Sequence, residues 1–160
     1  MKTLILFYSR TGLTKRVAEK IAEALGADIE EVIDTADRSG ANGYLISGRD
    51  AALNRLAKIK DLNHNLSNYD LVVVGTPIWA WNMATPIRTV LSEQKDKIKQ
   101  TAFFCTQGDS GAKQAFSKMA RLIGRDPIDC LALKSKEVVN DKIQKSLEEF
   151  VVKLKNAVKI

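Results

Sequence analysis

The chain is poor in cysteine, histidine and proline, and it has no long hydrophobic run. Two cysteines among 160 residues, Cys105 and Cys130, cannot build a disulfide framework. Each lies in an apolar stretch, which reads as two buried, reduced thiols and fits a reducing compartment. The single histidine, His64, sits between Asn63 and Asn65 and reads as a surface residue. Without a second histidine or a cysteine cluster, the sequence offers no metal-ligand spacing. Three prolines form no linker, and no repeat or low-complexity tract divides the chain, so residues 1–160 read as one domain. No stretch approaches the roughly 20 apolar residues that cross a bilayer. The apolar start, Met1 to Tyr8, stops at Ser9-Arg10, is too short for a signal-peptide core, and is followed by no small-residue cleavage site. The expectation is a cytoplasmic protein without a membrane span.

Positive charge is in excess, with a net charge of +6. A basic balance can mark a nucleic-acid binder. Here the lysines are interleaved with acids, as in Lys95-Asp96-Lys97 and along Lys142 to Glu149. That pattern describes solvated helix faces. No aromatic–basic interleaving supports nucleic acid as a partner.

A hydrophobic content of 45% over this length is enough for one core. Short apolar runs at 4–8, 29–33, 71–75, 102–106 and 128–133 predict five strands. Leu71-Val72-Val73-Val74 is continuous and β-branched, as in a strand covered on both faces. Helical spacing recurs at Val17, Ile21 and Leu25, and again at Ala112, Ala115, Phe116, Met119 and Ile123. It returns at Ile143, Leu147, Phe150, Val151, Leu154 and Val158. Thr85-Pro86 predicts a capped helix start running through Leu91, and Asn140 a cap for the last helix. Gly40, Gly43 and Gly48 predict a loop, followed by a helix over about 49–58. Strand and helix alternate five times, which implies an α/β fold: a doubly wound parallel sheet with helices on both faces.

Ligands of such sheets bind beyond the carboxyl ends of the strands, so three loops are informative. The first, Ser9-Arg10-Thr11-Gly12-Leu13-Thr14, runs from a strand directly into a helix. It offers three hydroxyls, a glycine that permits a tight turn, and the free N–H groups of a helix start. That set suits a dianionic phosphate monoester; an ordinary N-cap requires one hydroxyl. The second, Thr76-Pro77-Ile78-Trp79-Ala80-Trp81-Asn82, holds both tryptophans of the chain. One indole is expected in the core and one against a flat aromatic ligand. The third, Thr106-Gln107-Gly108-Asp109-Ser110-Gly111, is small and polar. It can set backbone N–H groups against the edge of a ring, or simply cap a helix through Asp109 or Ser110.

Other chemistries of similar folds are excluded. There is no G-x-x-x-x-G-K-[ST] and no G-x-G-x-x-G after the first strand. The places where a receiver domain needs acids hold Ser9 and Thr76. Six residues after Cys105 stands Gly111, where a cysteine phosphatase needs arginine.

The first loop matches the pattern S/T-x-T-G-x-T, and the chain resembles the short-chain flavodoxins over its whole length. Gly75-Thr76-Pro77 with Trp79 is similar to their flavin loop. Asn82-Met83 and Arg88 are also similar to flavodoxin-like NAD(P)H:quinone reductases, and Gly43-Tyr44-Leu45 with Gly48 to a subgroup with a longer segment after strand two. The resemblance implies strand order 2-1-3-4-5 and non-covalently bound FMN. It implies a phosphate held by Ser9, Thr11, Gly12, Thr14 and the backbone of Arg10, and a ring between residues 76–82 and 106–111. Three departures stand out. Residues 76–82 lack the glycine whose peptide flips toward the flavin N5 in many flavodoxins. The third loop carries no aromatic. The chain is basic, whereas electron-carrying flavodoxins are typically acidic.

The functional expectation is an electron carrier, monomeric or weakly dimeric, that serves redox partner proteins. An NAD(P)H-dependent quinone-type reductase, with a nicotinamide nucleotide as donor, is the alternative. A domain that kept the fold and lost the flavin is a third. No acid–base constellation is legible, so no catalytic side chain is expected.

Overall fold

The computed structural model describes residues 1–157. The chain forms β1 (Thr3–Phe7), α1 (Leu13–Leu25), β2 (Asp28–Glu31), α2 (Gly40–Ala52), β3 (Leu71–Trp79) and β4 (Asn82–Met83). It continues with α3 (Thr85–Gln94), β5 (Thr101–Gln107), α4 (Ala112–Ile123), β6 (Cys130–Lys134), α5 (Ser135–Val139) and α6 (Gln144–Ala157). Five strands make one parallel sheet in the order β2-β1-β3-β5-β6. This is the expected doubly wound order, with β4 standing aside as a two-residue strand antiparallel to the end of β3.

Alternation of side chains across the sheet divides the core in two. Leu4, Leu6, Val72, Val74 and Phe103 face one way, with Ile87, Val90 and Met119 from the helices packed against them. Ile5, Phe7, Val73, Ala102 and Phe104 face the other way, beneath Val17, Ile21, Leu147, Phe150 and Leu154. The central strands are buried on both faces, and this is why β3 reads as a continuous apolar run.

The edge strand β6 is different. It alternates, with Leu131 and Leu133 buried while Cys130 and Ala132 are exposed. Cys105 is buried as expected, but Cys130 is not, because only one face of this strand is covered.

Four other local expectations are corrected. The segment after β2 is helical from Gly40, not from 49, and it ends at Ala52. Gly43 does not break it. A Cβ there would lie 2.1 Å from the Arg38 carbonyl carbon, so the glycine lets the helix sit directly on that backbone. Residues 53–65 are then irregular, pinned by Glu30, which accepts from the amides of Asn63 and His64 and lies 2.7 Å from His64 Nδ1. His64 is thus only half exposed. Ala84 rather than Thr85 is the N-cap of α3. Asn140 closes α5 instead of opening α6, because α5 intervenes before the last helix. Val158 lies outside the described residues.

The amino end of the chain lies at the amino edge of the sheet, where the Lys2 amide donates to Asp70 at 2.8 Å. No helix among the described residues is long and apolar enough to cross a membrane.

Candidate functional site

At the opposite, carboxyl edge of the sheet, the loop 9–14 joins β1 to α1. Gly12 takes the left-handed conformation (φ 93°) and serves as the N-cap, with no side-chain cap bond. Its amide donates to Ser9 Oγ at 3.0 Å, so the Ser9 hydroxyl braces the turn. The amides of Thr11, Leu13, Thr14 and Lys15 have no protein acceptor among the described residues. The first turn of α1 carries no acidic residue. These are the conditions under which a helix start attracts an anion.

Thr14 and Thr106 come from different loops, and the fold brings their hydroxyls to 2.7 Å, both buried. Two hydroxyls carry two hydrogens, and their mutual bond uses one. The other is left for a group in the cleft. That cleft, of about 240 Å³, is lined among others by Arg10, Thr11, Leu13, Thr14, Pro77, Thr106, Gln107 and Ser135.

It adjoins a second, wider cavity of about 430 Å³, the two sharing Tyr44, Ile78, Trp79 and Gly108 as lining. Ala80, Trp81, Asp109 and Ser110 complete one side of the wider cavity, and Leu45, Gly48 and Arg49 of α2 the other. Trp79 is buried, 7% exposed, with its ring edge-on to Tyr8 at 5.4 Å. Trp81 is 59% exposed, and its Nε1 donates to Ser110 Oγ at 3.2 Å, which ties the second loop to the third. Ala80 and Trp81 both have positive φ, 48° and 57°. They form the two-residue turn between β3 and β4 without the glycine such turns favour.

Thr76 and Asn82 do not face the cleft as donors. Thr76 is fully buried, donating to Pro77 O and accepting from the Ala84 amide. Asn82, also buried, donates to Ala51 O and Asn54 Oδ1 and accepts from Met83 and Arg88. Both lock the hairpin from beneath. Gln107 accepts from the Ala112 amide through Oε1, so it caps α4, and Gly111 is the residue that enters that helix.

A family model described as Flavodoxin matches residues 2–154. The chain belongs to the flavodoxin family. Among solved structures, the flavoprotein of Lactobacillus acidophilus NCFM in complex with FMN is 30% identical, covers 87% of this chain and 97% of its own, and has a TM-score of 0.69. The apo form of a flavoprotein from the same organism is 33% identical over 82% and 91% of the two chains, with a TM-score of 0.63. The Streptococcus pneumonia TIGR4 flavodoxin is 16% identical over 99% and 100%, with a TM-score of 0.61, which is a likeness of fold. No curated protein matches the chain.

What sequence reasoning missed in this flavodoxin-family site is the wall supplied by α2. Arg38 fastens it. Its guanidinium pairs with Asp34 and Asp50 while lying 5.3 Å from the Trp79 ring centroid. Burial works against that charge, yet the two carboxylates hold the Arg38 pKa above its ordinary value. Arg10 reaches across, donating to Arg38 O and lying 5.5 Å over the Tyr44 ring. Tyr44 thus brings to the cleft the second aromatic that the third loop lacks. The available signal was the spacing Gly43, Ser47, Ala51, a buried stripe of small residues at helical intervals. Asp109 is the only carboxylate lining either cavity among the described residues, against Arg10 and Arg49. The balance favours an anionic ligand.

Proposed function

We propose that the chain binds FMN and works as an electron-transfer protein, in the cytoplasm, between partner proteins. The observation that carries this reading is the set of unpartnered amides of Thr11, Leu13, Thr14 and Lys15 at the start of α1, continuous with an aromatic-walled cleft. The relationship to an FMN-complexed flavoprotein at 30% identity supports it.

The amides of Thr11, Leu13, Thr14 and Lys15 hold the phosphate, and the Thr14–Thr106 pair lends it a hydroxyl hydrogen. Ser9 and Gly12 keep the loop in the shape that exposes those amides. Ile78, Trp79, Ala80 and Trp81 form one wall for the ring and Tyr44 the other, with Gly108 and Asp109 at its edge. FMN, when bound, supplies the redox chemistry itself. Arg10 and Arg49 favour negative charge in the cleft, and the exposed Tyr44, Leu45 and Trp81 form its apolar mouth.

The test is an absorption spectrum of the purified protein before and after addition of FMN, followed by anaerobic reduction in small increments. A yellow protein that reduces in two resolved one-electron stages is the expected result. Direct oxidation of NAD(P)H with a single two-electron stage would identify a reductase instead. A protein that refuses excess FMN would overturn both.

A further inference from the structure

A further cavity lies apart from the flavin cleft, between α3 and α4. It holds about 360 Å³ and is lined by Arg88, Lys118, Arg121, Asn54 and Leu122. Three of the five are cations and none is acidic. None of the three cations forms an ion pair among the described residues.

Arg88 is the informative member. It is half-buried, donates through one NH2 group to Asn82 Oδ1 at 3.0 Å, and its Nε is buried with no acceptor. Burial lowers its pKa, with no carboxylate to offset it. The contrast with Arg38 is direct: that buried guanidinium has two carboxylates, and this one has none. An unpaired buried charge is costly. Lys118 and Arg121, three residues apart, share one face of α4 and add two like charges to the same cavity. Mutual repulsion of three cations is relieved by an anion between them.

We infer that this cavity is a binding site for a phosphate group, held by Arg88, Lys118 and Arg121. A phosphate group carries about 1.5–2 negative charges at neutral pH and at least three acceptor oxygens, which matches three cations better than a single carboxylate does. Guanidinium groups present paired N–H donors suited to its oxygens. The volume exceeds that of the bare ion and leaves room for a substituent. Asn54 contributes an amide at the rim, and Leu122 an apolar surface. The inference is independent of FMN: no residue of this cavity lines the flavin cleft.

The experiment is a titration of the FMN-saturated protein with inorganic phosphate, followed residue by residue through backbone amide NMR shifts. Saturable shifts at Asn54, Arg88, Lys118 and Arg121 are expected. Shifts confined to 11–15 would report the phosphate loop alone and overturn the site. The double variant K118Q/R121Q tests it without touching the Arg88–Asn82 bond, and its overall spectrum reports its folding. Binding at the cavity should weaken by at least roughly tenfold, the scale of losing charge-assisted bonds. Shifts that do not saturate, or are unchanged in the double variant, would overturn the proposal. A parallel titration with adenosine monophosphate separates the sources: tighter binding than inorganic phosphate assigns an organic ester, and equal or weaker binding assigns the free ion.

Discussion

Trp79 and Trp81 stand two residues apart and have opposite environments. Trp79 packs against Tyr8 and Arg38, so Trp79→Ala removes a core ring and should cost about 3–5 kcal/mol, read as a lower urea midpoint. Trp81 is exposed, so Trp81→Ala should change stability by no more than about 0.5 kcal/mol, yet weaken FMN binding measurably in a fluorescence titration. Equal loss of stability in both would contradict the assignment of core and cleft. The two thiols divide in the same way. Cys130 is exposed and Cys105 buried, so one thiol per chain should react with a disulfide reagent in the native protein, and the second only on unfolding. The native reaction will be slow at neutral pH, because partial desolvation and the neighbouring Asp129 push the Cys130 thiol up to about 11. At this scale the sequence was readable where a residue type carries its own chemistry: the hydroxyls and glycine of 9–14 mark the helix start. It was unreadable for Thr76 and Asn82. A polar side chain near a strand end can turn into the cleft or beneath the loop, and only the hydrogen-bond partners decide which.

Among the elements, strands β1, β3 and β5 and helices α1, α4 and α6 were legible because burial on one stripe or two faces leaves a periodic trace. Helix α2 was not, because its buried stripe is made of Gly43, Ser47 and Ala51, which keep the helical spacing but lack the hydrophobic side chains that mark a core face. Its seat is steric: Gly43→Ala would press a methyl against the Arg38 carbonyl. The expected cost is about 1–3 kcal/mol, with weaker FMN binding as the cleft wall shifts. A thermal melt and a flavin titration on the same variant check both effects. The hairpin between β3 and β4 gives the opposite prediction. Ala80 sits at φ 48°, so Ala80→Gly should relieve backbone strain and stabilise the fold by about 1 kcal/mol, raising the melting temperature. A lower melting temperature would mean that the left-handed turn carries no strain.

Across the whole molecule, buried neutral groups set the alkaline limit. Burial raises Cys105 from 9.0 to about 12 and, with help from Asp34, Tyr8 from 10.0 to about 12. In both, the folded state holds its proton more tightly than the unfolded chain. Their contribution to stability is therefore complete below pH 9 and is lost as pH rises toward 12. The urea midpoint should fall steadily over that window, beginning near pH 9; the Cys105→Ala variant should show a shallower fall between pH 9 and 12, with Cys130 still marking the onset near pH 9. The general plan, one doubly wound sheet with its loops gathered at the carboxyl edge, was legible because βα alternation admits few topologies. The same plan has a practical consequence. Lys2 is held at the amino edge, and β1 alone, five residues at about 3.3 Å each, sets the cleft roughly 17 Å further along the sheet. A molecule immobilised through Met1 on an electrode or bead would turn its cleft toward the solution, open to soluble partners and out of direct contact with the support.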